Sequence, residues 1–575
     1  MRPLNESVRR KRFHIFLLAA SLFSLLFTVL KTDPGAPEPS TAWYASSLHP
    51  AFYIGLLLCI TAILLSIKYR RKYLGLVSIL PPVFYLYSLP TIVHDLPPVF
   101  DQYHVIPQIL SIVETGGWNM DTIAFPASHI FQANILMVLN IEALTLARLF
   151  PTILAFTIAL FIFTMARKIS TRWAPIAPLT FLALNWYMEY HLARQPFGMM
   201  IWTAFWLALF LYFEKQNYRL GVVTSVVLLA LIPAHPGMVI ITAFNLFALT
   251  LVMFISFREE EEWNYFSRFV PMLLIFGIIA ALLYASIPTI GEYMTEVYQD
   301  FDRGLEEGTL ELSLGGPTAT SFGYGFVNQL RMLAGGFHSL LALLGLIFLY
   351  KADSKKALLL GAWFFSIYLW LSYPLTHDGL YIERAFMYSL IPASILGVVL
   401  LKHSTKKFTI LQPIEDLLPV DLKYLTRIAA IVIIAAFLLT VPITKNSIDA
   451  IETPSDPAYR AGLHAESNLD DRVYVTDTHE GIFRYIETTT SEDASPTYQF
   501  RSRGKMPPDQ PYGYPIPRTD RHLSPILFTD HFNNYIEIRY GNTTAVKELG
   551  RYEADVSRSS ASIYDSGGAR LYLQT

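Results

Sequence analysis

The sequence predicts an all-α polytopic membrane bundle of about thirteen transmembrane helices, followed by a small α/β domain outside the membrane. Hydrophobic residues make up 53% of the 575 residues and charged residues only 16%, whereas soluble domains carry roughly 25% charged residues. Apolar runs of about 20 residues, the length that crosses a bilayer, recur as far as residue 443. Residues 1–443 are therefore predicted to form the transmembrane domain, and residues 444–575 a soluble extracytoplasmic α/β domain.

The predicted spans follow one another with short polar breaks between them. They are residues 13–30, 50–68, 73–92, 145–167, 174–188, 198–213, 219–234, 236–257, 269–287, 335–350, 357–373, 385–402 and 426–443. The fifth and seventh of these segments are short and closely linked to their neighbours.

The distribution of Lys and Arg predicts a multi-pass protein of the cell membrane with a cytoplasmic N-terminus. With that orientation the inner segments carry about 24 of these residues and the short outer segments about 6, a bias typical of cytoplasmic loops. An odd number of spans then places the C-terminal domain outside, together with long loops at 93–144 and 288–334. The single cysteine, Cys59, allows no disulfide within the chain and favours a bacterial or archaeal membrane.

The first long outer loop concentrates acidic residues and histidines and contains no Lys or Arg. Asp101 follows a proline-containing approach and lies near the start of a helix that is predicted to begin around His104. A carboxylate there can act as general base on a hydroxyl, and Asp95 is a second candidate. The alternative for Asp101 is helix N-capping, for which aspartate is among the best residues. His129 follows further along the same loop.

Three other segments place ionisable residues on the predicted outer side. They contribute Glu189, His191 and Arg194 between the fifth and sixth spans, His235 in a tight turn, and His377, Asp378 and Arg384 before the twelfth span. Ionisable residues at membrane depth are costly and mark functional sites, and the guanidinium fork suits phosphate oxygens. The alternatives are interfacial anchoring, a solvated turn histidine, and an ion pair between Arg384 and Glu383.

The order of these features resembles the GT-C class of membrane glycosyltransferases. The run HDLPPVFDQYH, followed by ETGGWN and FPASHIFQA, is similar to the layout of prokaryotic, and in particular archaeal, members. ARQPFGMM and IPAHPGMV resemble later outer-face motifs, and ASIYDSGGARLYLQ resembles a closing hairpin of the class. The layout is also related to that of oligosaccharyltransferases and protein mannosyltransferases. The chain departs from oligosaccharyltransferases because it has no WWDYG-like motif and no Asp-x-Asp pair in the first loop.

The resemblance implies an inverting transfer of a sugar from a polyprenyl-phosphate carrier, such as dolichol phosphate, at the outer face. The acceptor would be a glycan, a lipid-linked oligosaccharide or a protein of the cell envelope. Asp101 would be the base, with Asp95 second, and Arg194, Arg384 and His235 would hold the phosphate. Further candidates for binding substrate are His104, His129, Glu189, His191, His377 and Asp378. Membrane lipid is the other partner. No metal or cofactor is indicated, with a divalent ion as the alternative, and no block is basic enough for nucleic acid.

Two other functions compete with glycosyl transfer. A transporter or lipid flippase would place polar groups near the middle of the membrane, often with inverted repeats, whereas the mid-span positions here are almost all apolar and no repeat is evident. A structural or assembly factor without chemistry would have no converging carboxylate and arginine at the outer face.

Within the C-terminal domain, alternation and turn residues predict individual elements. DRVYVTD and NNYIEIRYG are predicted strands, EGIFRYI a helix, and SASIYDSGGARLYL a hairpin. The proline-rich run YQFRSRGKMPPDQPYGYPIPR is predicted to be a loop.

Overall fold

The structure, a computed structural model, describes most of the helical part of the chain and selected parts of the C-terminal region. The described residues are 6–33, 43–94, 96–97, 101–118, 125–185, 192–215, 217–256, 270, 274–282, 322–369, 380–403, 422–446, 459–461, 463–465, 473–476, 498–500, 526–529, 553–554, 557–558, 560–565 and 569–574.

Helices follow one another along the described part of residues 6–446. They are α1 Glu6–Lys31, α2 Trp43–Ser47, α3 Ala51–Lys68, α4 Lys72–Val77, α5 Leu80–Val83, a π-helical segment Phe84–Ser88, α6 Leu89–Val93, α7 Asp101–Thr115, α8 Ala127–Leu139, α9 Ala143–Ile169, α10 Ile176–Leu184, α11 Arg194–Lys215, α12 Tyr218–Ala230, α13 Pro236–Ser256, α14 Phe322–Ala352, α15 Ser354–Leu369, α16 Leu380–His403 and α17 Leu422–Asn446. Residues 274–282 are also helical.

Nine helices in the described residues are long and apolar enough to cross a membrane. They correspond to nine of the thirteen predicted spans, and the predicted polytopic bundle is confirmed. Three of the other four predicted spans coincide with the shorter helices α10, α12 and α15, of 9, 13 and 16 residues. The fourth, predicted at 269–287, is described chiefly at 274–282.

Helix α10 is short because it lies inside the bundle. All nine of its side chains are buried, so the surrounding helices cover it. A helix surrounded by protein does not need the full bilayer length, since neighbouring helices can satisfy the backbone groups at its ends.

The third predicted span, 73–92, is built from four consecutive segments, α4 to α6 with the π-helical turn between them. Pro81 and Pro82 lie in α5, and proline removes a backbone donor from the helical ladder. The π-helical turn Phe84–Ser88 follows immediately. Irregular backbone of this kind is tolerated at membrane depth where it is buried in protein, and Tyr85 and Tyr87 within the turn are 1% exposed.

Long-range packing brings α14 and α16 into close contact. A Cβ at Gly345 in α14 would collide with the backbone oxygen of Leu396 in α16. Small residues allow this kind of approach between membrane helices. Helix α14 begins at Phe322, inside the outer loop predicted at 288–334.

The predicted first outer loop is largely helical in its described parts. Helix α7 begins at Asp101, three residues before the predicted start near His104, and α8 follows from Ala127. These two helices pack against each other and against α9. They therefore form a compact helical layer at the end of the bundle where α9 begins.

The C-terminal region forms a five-stranded sheet with the order β2-β1-β3-β5-β4. Its strands are β1 Val473–Thr476, β2 Tyr498–Phe500, β3 Ile526–Thr529, β4 Ser560–Asp565 and β5 Ala569–Gln574. Strand β1 pairs in parallel with β2 and β3, whereas β5 pairs antiparallel with β3 and β4. The predicted strand at DRVYVTD and the predicted closing hairpin are thus confirmed.

Two details of this sheet differ from the sequence-based expectation. Strand β3 was not predicted, and Tyr498–Phe500 pairs as β2 although the run that contains it was expected to be a loop. Three-residue and four-residue strands give little periodic signal of their own. The predicted helix at EGIFRYI and the predicted strand at NNYIEIRYG lie outside the described residues.

A single apolar cluster joins the sheet to the helical layer. It contains Tyr103 and Ile106 of α7, residues of α8 and α9, Phe197 of α11, and Ala569 and Leu571 of β5, all buried. The C-terminal sheet is therefore packed into the same core as the helix that begins at Asp101.

Candidate functional site

Four predicted substrate-binding residues converge at one end of the bundle. They are His129 in α8, Arg194 at the start of α11, His235 in the turn before α13, and Arg384 near the start of α16. The charge of Arg194 acts on both histidines, and the charge of Arg384 acts on His235. We call these four residues the arginine–histidine cluster, and the end of the bundle where they lie the arginine end.

The backbone brings the turn that carries His235 against α8. The amide nitrogen of Ala127 donates to the carbonyl oxygen of Pro233 at 3.2 Å. This bond ties the first residue of α8 to the turn between α12 and α13. His129 and His235 are consequently carried by segments that are joined directly.

Helix α11 approaches the same turn through a glycine. A Cβ at Gly198 would lie 2.9 Å from the Cβ of His235 and 3.1 Å from the Cγ of Met238. Gly198 is one helical turn beyond Arg194, so the lack of a side chain there lets α11 carry Arg194 up to His235. Phe197 on the same turn packs on Phe131 of α8, with ring centroids 5.2 Å apart.

Helix α16 is linked to α11 near the two arginines. Gln195, next to Arg194, donates from Nε2 to the hydroxyl of Tyr388 at 3.4 Å. Tyr388 lies one helical turn beyond Arg384, and residues four apart on a helix are neighbours on one face. The charge of Arg384 also acts on Tyr388, so the bond from Gln195 to Tyr388 brings the first turns of both helices to one site.

Burial keeps the two histidines of the cluster neutral at ordinary pH. It lowers the pKa of His235 to about 3, and the charges of Arg384 and Arg194 lower it further in the same direction. Burial lowers the pKa of His129 to about 4, with an additional contribution from Arg194. Imidazolium would be disfavoured beside guanidinium groups in a poorly solvated site. At pH 7 the positive charge of the cluster therefore comes from the two arginines.

This arrangement is suited to an anion. Two guanidinium groups supply charge-assisted donors in a forked geometry that matches phosphate oxygens. A neutral imidazole can donate one hydrogen bond from one ring nitrogen and accept at the other. The cluster thus offers the kinds of donor that a phosphate group requires.

The roles assigned to the two candidate bases and to several other residues stay predictions. Asp101 is the first residue of α7, and its side chain lies outside what the structure describes. His104 is half-buried on α7, which shares the apolar cluster with Phe197. Asp95, Glu189, His191, His377 and Asp378 lie outside the described residues.

Sequence reasoning did not single out Gln195 and Tyr388. Both are uncharged, and nothing in the sequence distinguishes them from other polar residues at the ends of spans. Their positions alone could have identified them, since Gln195 follows Arg194 and Tyr388 lies one helical turn after Arg384.

A second polar group lies deeper in the bundle. His338 of α14 is fully buried, its Nε2 lies 3.0 Å from the hydroxyl of Ser389, and that hydroxyl lies 3.2 Å from the hydroxyl of Tyr368. These neutral side chains bond one another across α14, α15 and α16. Interhelical hydrogen bonds of this kind hold membrane helices together.

Another buried histidine near the arginine end is His94. It follows α6, is 5% exposed, and packs on the ring of Tyr44 with centroids 5.7 Å apart. Burial lowers its pKa to about 4. Among the residues that the structure describes, no group of three or more His, Cys, Asp or Glu side chains could hold a metal ion. Because the predicted acidic side chains are outside that part, the expectation of a metal-independent site stays a prediction.

The fold is similar to that of ArnT from Cupriavidus metallidurans. The crystal structure of ArnT bound to undecaprenyl phosphate aligns with a TM-score of 0.51 at 11% sequence identity, over 88% of this chain and 98% of that chain. The apo structure of ArnT aligns with a TM-score of 0.50 at 10% identity, over 88% and 97% of the two chains. No protein-family model matches the chain, and no curated protein matches it. The predicted GT-C fold of the polytopic bundle is confirmed.

Proposed function

We propose that this protein is a membrane glycosyltransferase that moves a sugar from a polyprenyl-phosphate carrier to an acceptor. The observation that carries the proposal is the convergence of Arg194, Arg384, His235 and His129 at one end of a GT-C bundle. ArnT, which has a similar fold, has been crystallised with undecaprenyl phosphate. A positively charged, poorly solvated cluster at a membrane surface suits the phosphate of such a lipid, whose prenyl chain stays among the apolar helices.

The chemistry required of the cluster is stabilisation of a leaving phosphate. The acceptor hydroxyl attacks the anomeric carbon, the bond from that carbon to the phosphate oxygen breaks, and the electron pair stays on the oxygen. Because polyprenyl phosphate is stable as an anion, no strong acid is needed. Arg194 and Arg384 stabilise the charge that develops on the leaving oxygens, and attack opposite the leaving group inverts the anomeric centre.

A general base takes the proton from the attacking hydroxyl, and Asp101 is our candidate, with Asp95 second. Asp101 opens α7, and α7 shares a buried apolar cluster with Phe197 and with Ala234, the neighbour of His235. Helix α7 thus packs against α8, which carries His129, and shares a buried apolar cluster with the segments that carry Arg194 and His235. A carboxylate at the start of a helix is also favoured in its ionised form, which is the form a base requires.

The remaining features of the proposal concern the face and the acceptor. The Lys and Arg bias of the sequence favours an extracytoplasmic site, with the sheet of the C-terminal domain beside it. The acceptor would be a glycan, a lipid-linked oligosaccharide or a protein, and the C-terminal domain would contribute to its binding. Dolichol phosphate or another polyprenyl phosphate would be the carrier.

The experiment is an in vitro transfer assay with a panel of labelled polyprenyl-phosphate sugars. Wild-type protein should transfer one of these sugars to acceptor, and Asp101→Asn should lower the rate by at least about a hundredfold, the effect typical of a general base. The matched control is Glu142→Gln. Glu142 is another acid that precedes a helix in this layer, it is exposed, and its side chain makes no capping bond.

The results also separate glycosyl transfer from the competing functions. Transfer that is unchanged in Asp101→Asn removes Asp101 from the role of base. Movement of an intact lipid-linked sugar across a vesicle membrane, without transfer of any sugar in the panel, would favour the flippase. An undiminished rate for Glu142→Gln shows that loss in Asp101→Asn comes from the particular carboxylate.

A further inference from the structure

The contact between Gln195 and Tyr388 joins the two helices that carry the arginines. Nε2 of Gln195 donates to the hydroxyl of Tyr388 at 3.4 Å. Gln195 is bonded directly to Arg194 in the chain, and Tyr388 lies one turn beyond Arg384. A link between these side chains therefore lies immediately beside both guanidinium-bearing residues.

Within the part of the chain that the structure describes, α11 and α16 make little direct helix-to-helix contact. Helix α11 packs chiefly against α9 and α12, whereas α16 packs chiefly against α14, α10 and α15. The connection between α11 and α16 is thus made by side chains and not by extended helix packing. A few side-chain contacts can then control the distance between Arg194 and Arg384.

The ring of Tyr388 packs on Trp202, which belongs to a cluster of three tryptophans. Trp202, two turns beyond Arg194 on α11, packs on Tyr388 with ring centroids 5.7 Å apart. Trp363 of α15 packs on Trp202 at 5.5 Å and stacks on Trp206 at 4.2 Å with an interplanar angle of 8°. All four aromatic side chains are at most 1% exposed. In this packing the ring of Tyr388 has little freedom to turn, so its hydroxyl is fixed in place for Gln195.

We propose that Gln195 and Tyr388 form a positioning pair that sets the separation of Arg194 and Arg384 for one phosphate group. The inference rests on the proposed function, because it takes a polyprenyl phosphate as the ligand. Neither residue needs to touch the phosphate. Holding both arginines in the bound geometry before the ligand arrives removes an ordering cost that binding would otherwise bear.

The pair should therefore control the preference for the phosphorylated lipid and not the affinity for the prenyl chain. The test measures equilibrium binding of undecaprenyl phosphate and of undecaprenol, which lacks the phosphate, to the full-length protein in lipid nanodiscs. The variants are Tyr388→Phe, Gln195→Met and the double variant. Each single change keeps the size of the side chain, so the packing of the ring on Trp202 is retained.

Each single variant should weaken binding of undecaprenyl phosphate about five- to tenfold, which corresponds to ~1–1.4 kcal/mol. Binding of undecaprenol should stay unchanged. The double variant should bind no more weakly than either single variant, because both changes remove the same contact and their effects do not add. Loosening of the bundle alone would weaken binding of both lipids together.

The matched control is Tyr368→Phe, which removes another phenol hydroxyl bonded to α16, the one beside Ser389. It should leave the preference for phosphate intact. If Tyr368→Phe reduces the preference as much as Tyr388→Phe does, or if the two single effects add in the double variant, the positioning pair is refuted. If Tyr388→Phe does not yield folded protein, as judged by its melting temperature, Gln195→Met alone decides, since Gln195 is only half-buried at a helix start.

Failure of the inference can be told apart from failure of the proposed function. A wild-type protein that binds undecaprenyl phosphate no better than undecaprenol contradicts the phosphate site itself. A wild-type protein that prefers undecaprenyl phosphate, with the same preference in Gln195→Met and Tyr388→Phe, contradicts only the positioning pair.

Discussion

At the residue scale, two arginines in this chain serve contrasting purposes. The charge of Arg384 acts on His235 and on Tyr388, so Arg384 lies near both. Arg331 is 8% exposed, and its Nε donates to the carbonyl oxygen of Thr444 at 2.9 Å. The first contributes charge to the arginine–histidine cluster, and the second satisfies a carbonyl near the end of α17, where the helix leaves acceptors unpaired.

Substitution of these arginines should give different results. Arg384→Gln should weaken binding of undecaprenyl phosphate about ten- to hundredfold, because hydrogen bonds to charged groups contribute ~1.5–3 kcal/mol. Arg331→Gln should lower the melting temperature and leave the affinity for undecaprenyl phosphate unchanged. Binding and thermal unfolding of both variants in nanodiscs check this; equal losses of affinity in the two would remove Arg384 from the phosphate site.

The lowered pKa of His235 predicts a loss of stability in mild acid. Folding lowers the pKa of His235 from 6.5 to about 3, so below pH 6.5 the unfolded chain binds a proton that the folded protein does not. The free energy of unfolding is therefore independent of His235 titration above pH 6.5. Below that pH it falls by at most ~1.4 kcal/mol per pH unit. The melting temperature of wild-type protein should therefore fall from pH 6.5 to 5 more steeply than that of His235→Gln. Parallel curves over this interval would contradict the buried, neutral histidine.

The sequence was informative about individual residues where charge was unexpected in an apolar chain. Arg194, His235 and Arg384 could be chosen because the Lys and Arg bias assigned them to one face, and the structure brings them together. Gln195 and Tyr388 could not be chosen, since their roles depend on the packing of α11 and α16 on either side of the cluster. That packing arises from tertiary contacts between segments 193 residues apart.

At the element scale, glycines decide how closely α14 and α16 approach. Gly345→Ala should destabilise the protein by ~1–3 kcal/mol, the usual cost of overpacking, because the new Cβ meets the backbone of Leu396, which cannot rotate away. The control on the same helix is Gly336→Ala, where a Cβ would meet nothing within 4 Å. It should keep or raise stability, since alanine favours helix by ~1 kcal/mol over glycine. Equal melting temperatures for the two variants would contradict the close approach.

The elements that sequence patterns placed well are the long apolar helices and the terminal hairpin. The patterns were weaker for α10, whose nine buried side chains give a uniform apolar run without a polar face, and for β3, which spans four residues. A uniform run cannot distinguish a spanning helix from a buried half-helix. The conformations of α10 and β3 therefore depend on the elements packed around them more than on their own residues.

At the scale of the whole molecule, the orientation in the membrane is a prediction from the Lys and Arg bias, and it can be tested with cysteines. Cys59 is fully buried, so it should not react with a membrane-impermeant maleimide. Ser557→Cys, at an exposed position of the C-terminal domain, should be labelled in intact cells. Lys351→Cys, exposed at the opposite end of the bundle from the arginine end, should be labelled only after lysis. The reverse pattern would place the arginine end in the cytoplasm.

The GT-C bundle, the arginine–histidine cluster and the C-terminal sheet meet at one end of the molecule. The apolar cluster that holds Tyr103 of α7 together with Phe197 and Leu571 connects all three. A substitution that disturbs the packing of the C-terminal sheet should therefore also disturb the packing of α7, where the candidate base lies. This connection makes the C-terminal region part of the site layer and not an independent appendage.

The most direct test is a cryo-electron microscopy structure of the full-length protein with undecaprenyl phosphate. We expect the phosphate between Arg194 and Arg384, with its oxygens about 2.7–2.9 Å from the guanidinium nitrogens and His235 beside them, and the prenyl chain running among the apolar helices. Phosphate density at any other place on the bundle, with the arginine–histidine cluster empty, would contradict the proposed site.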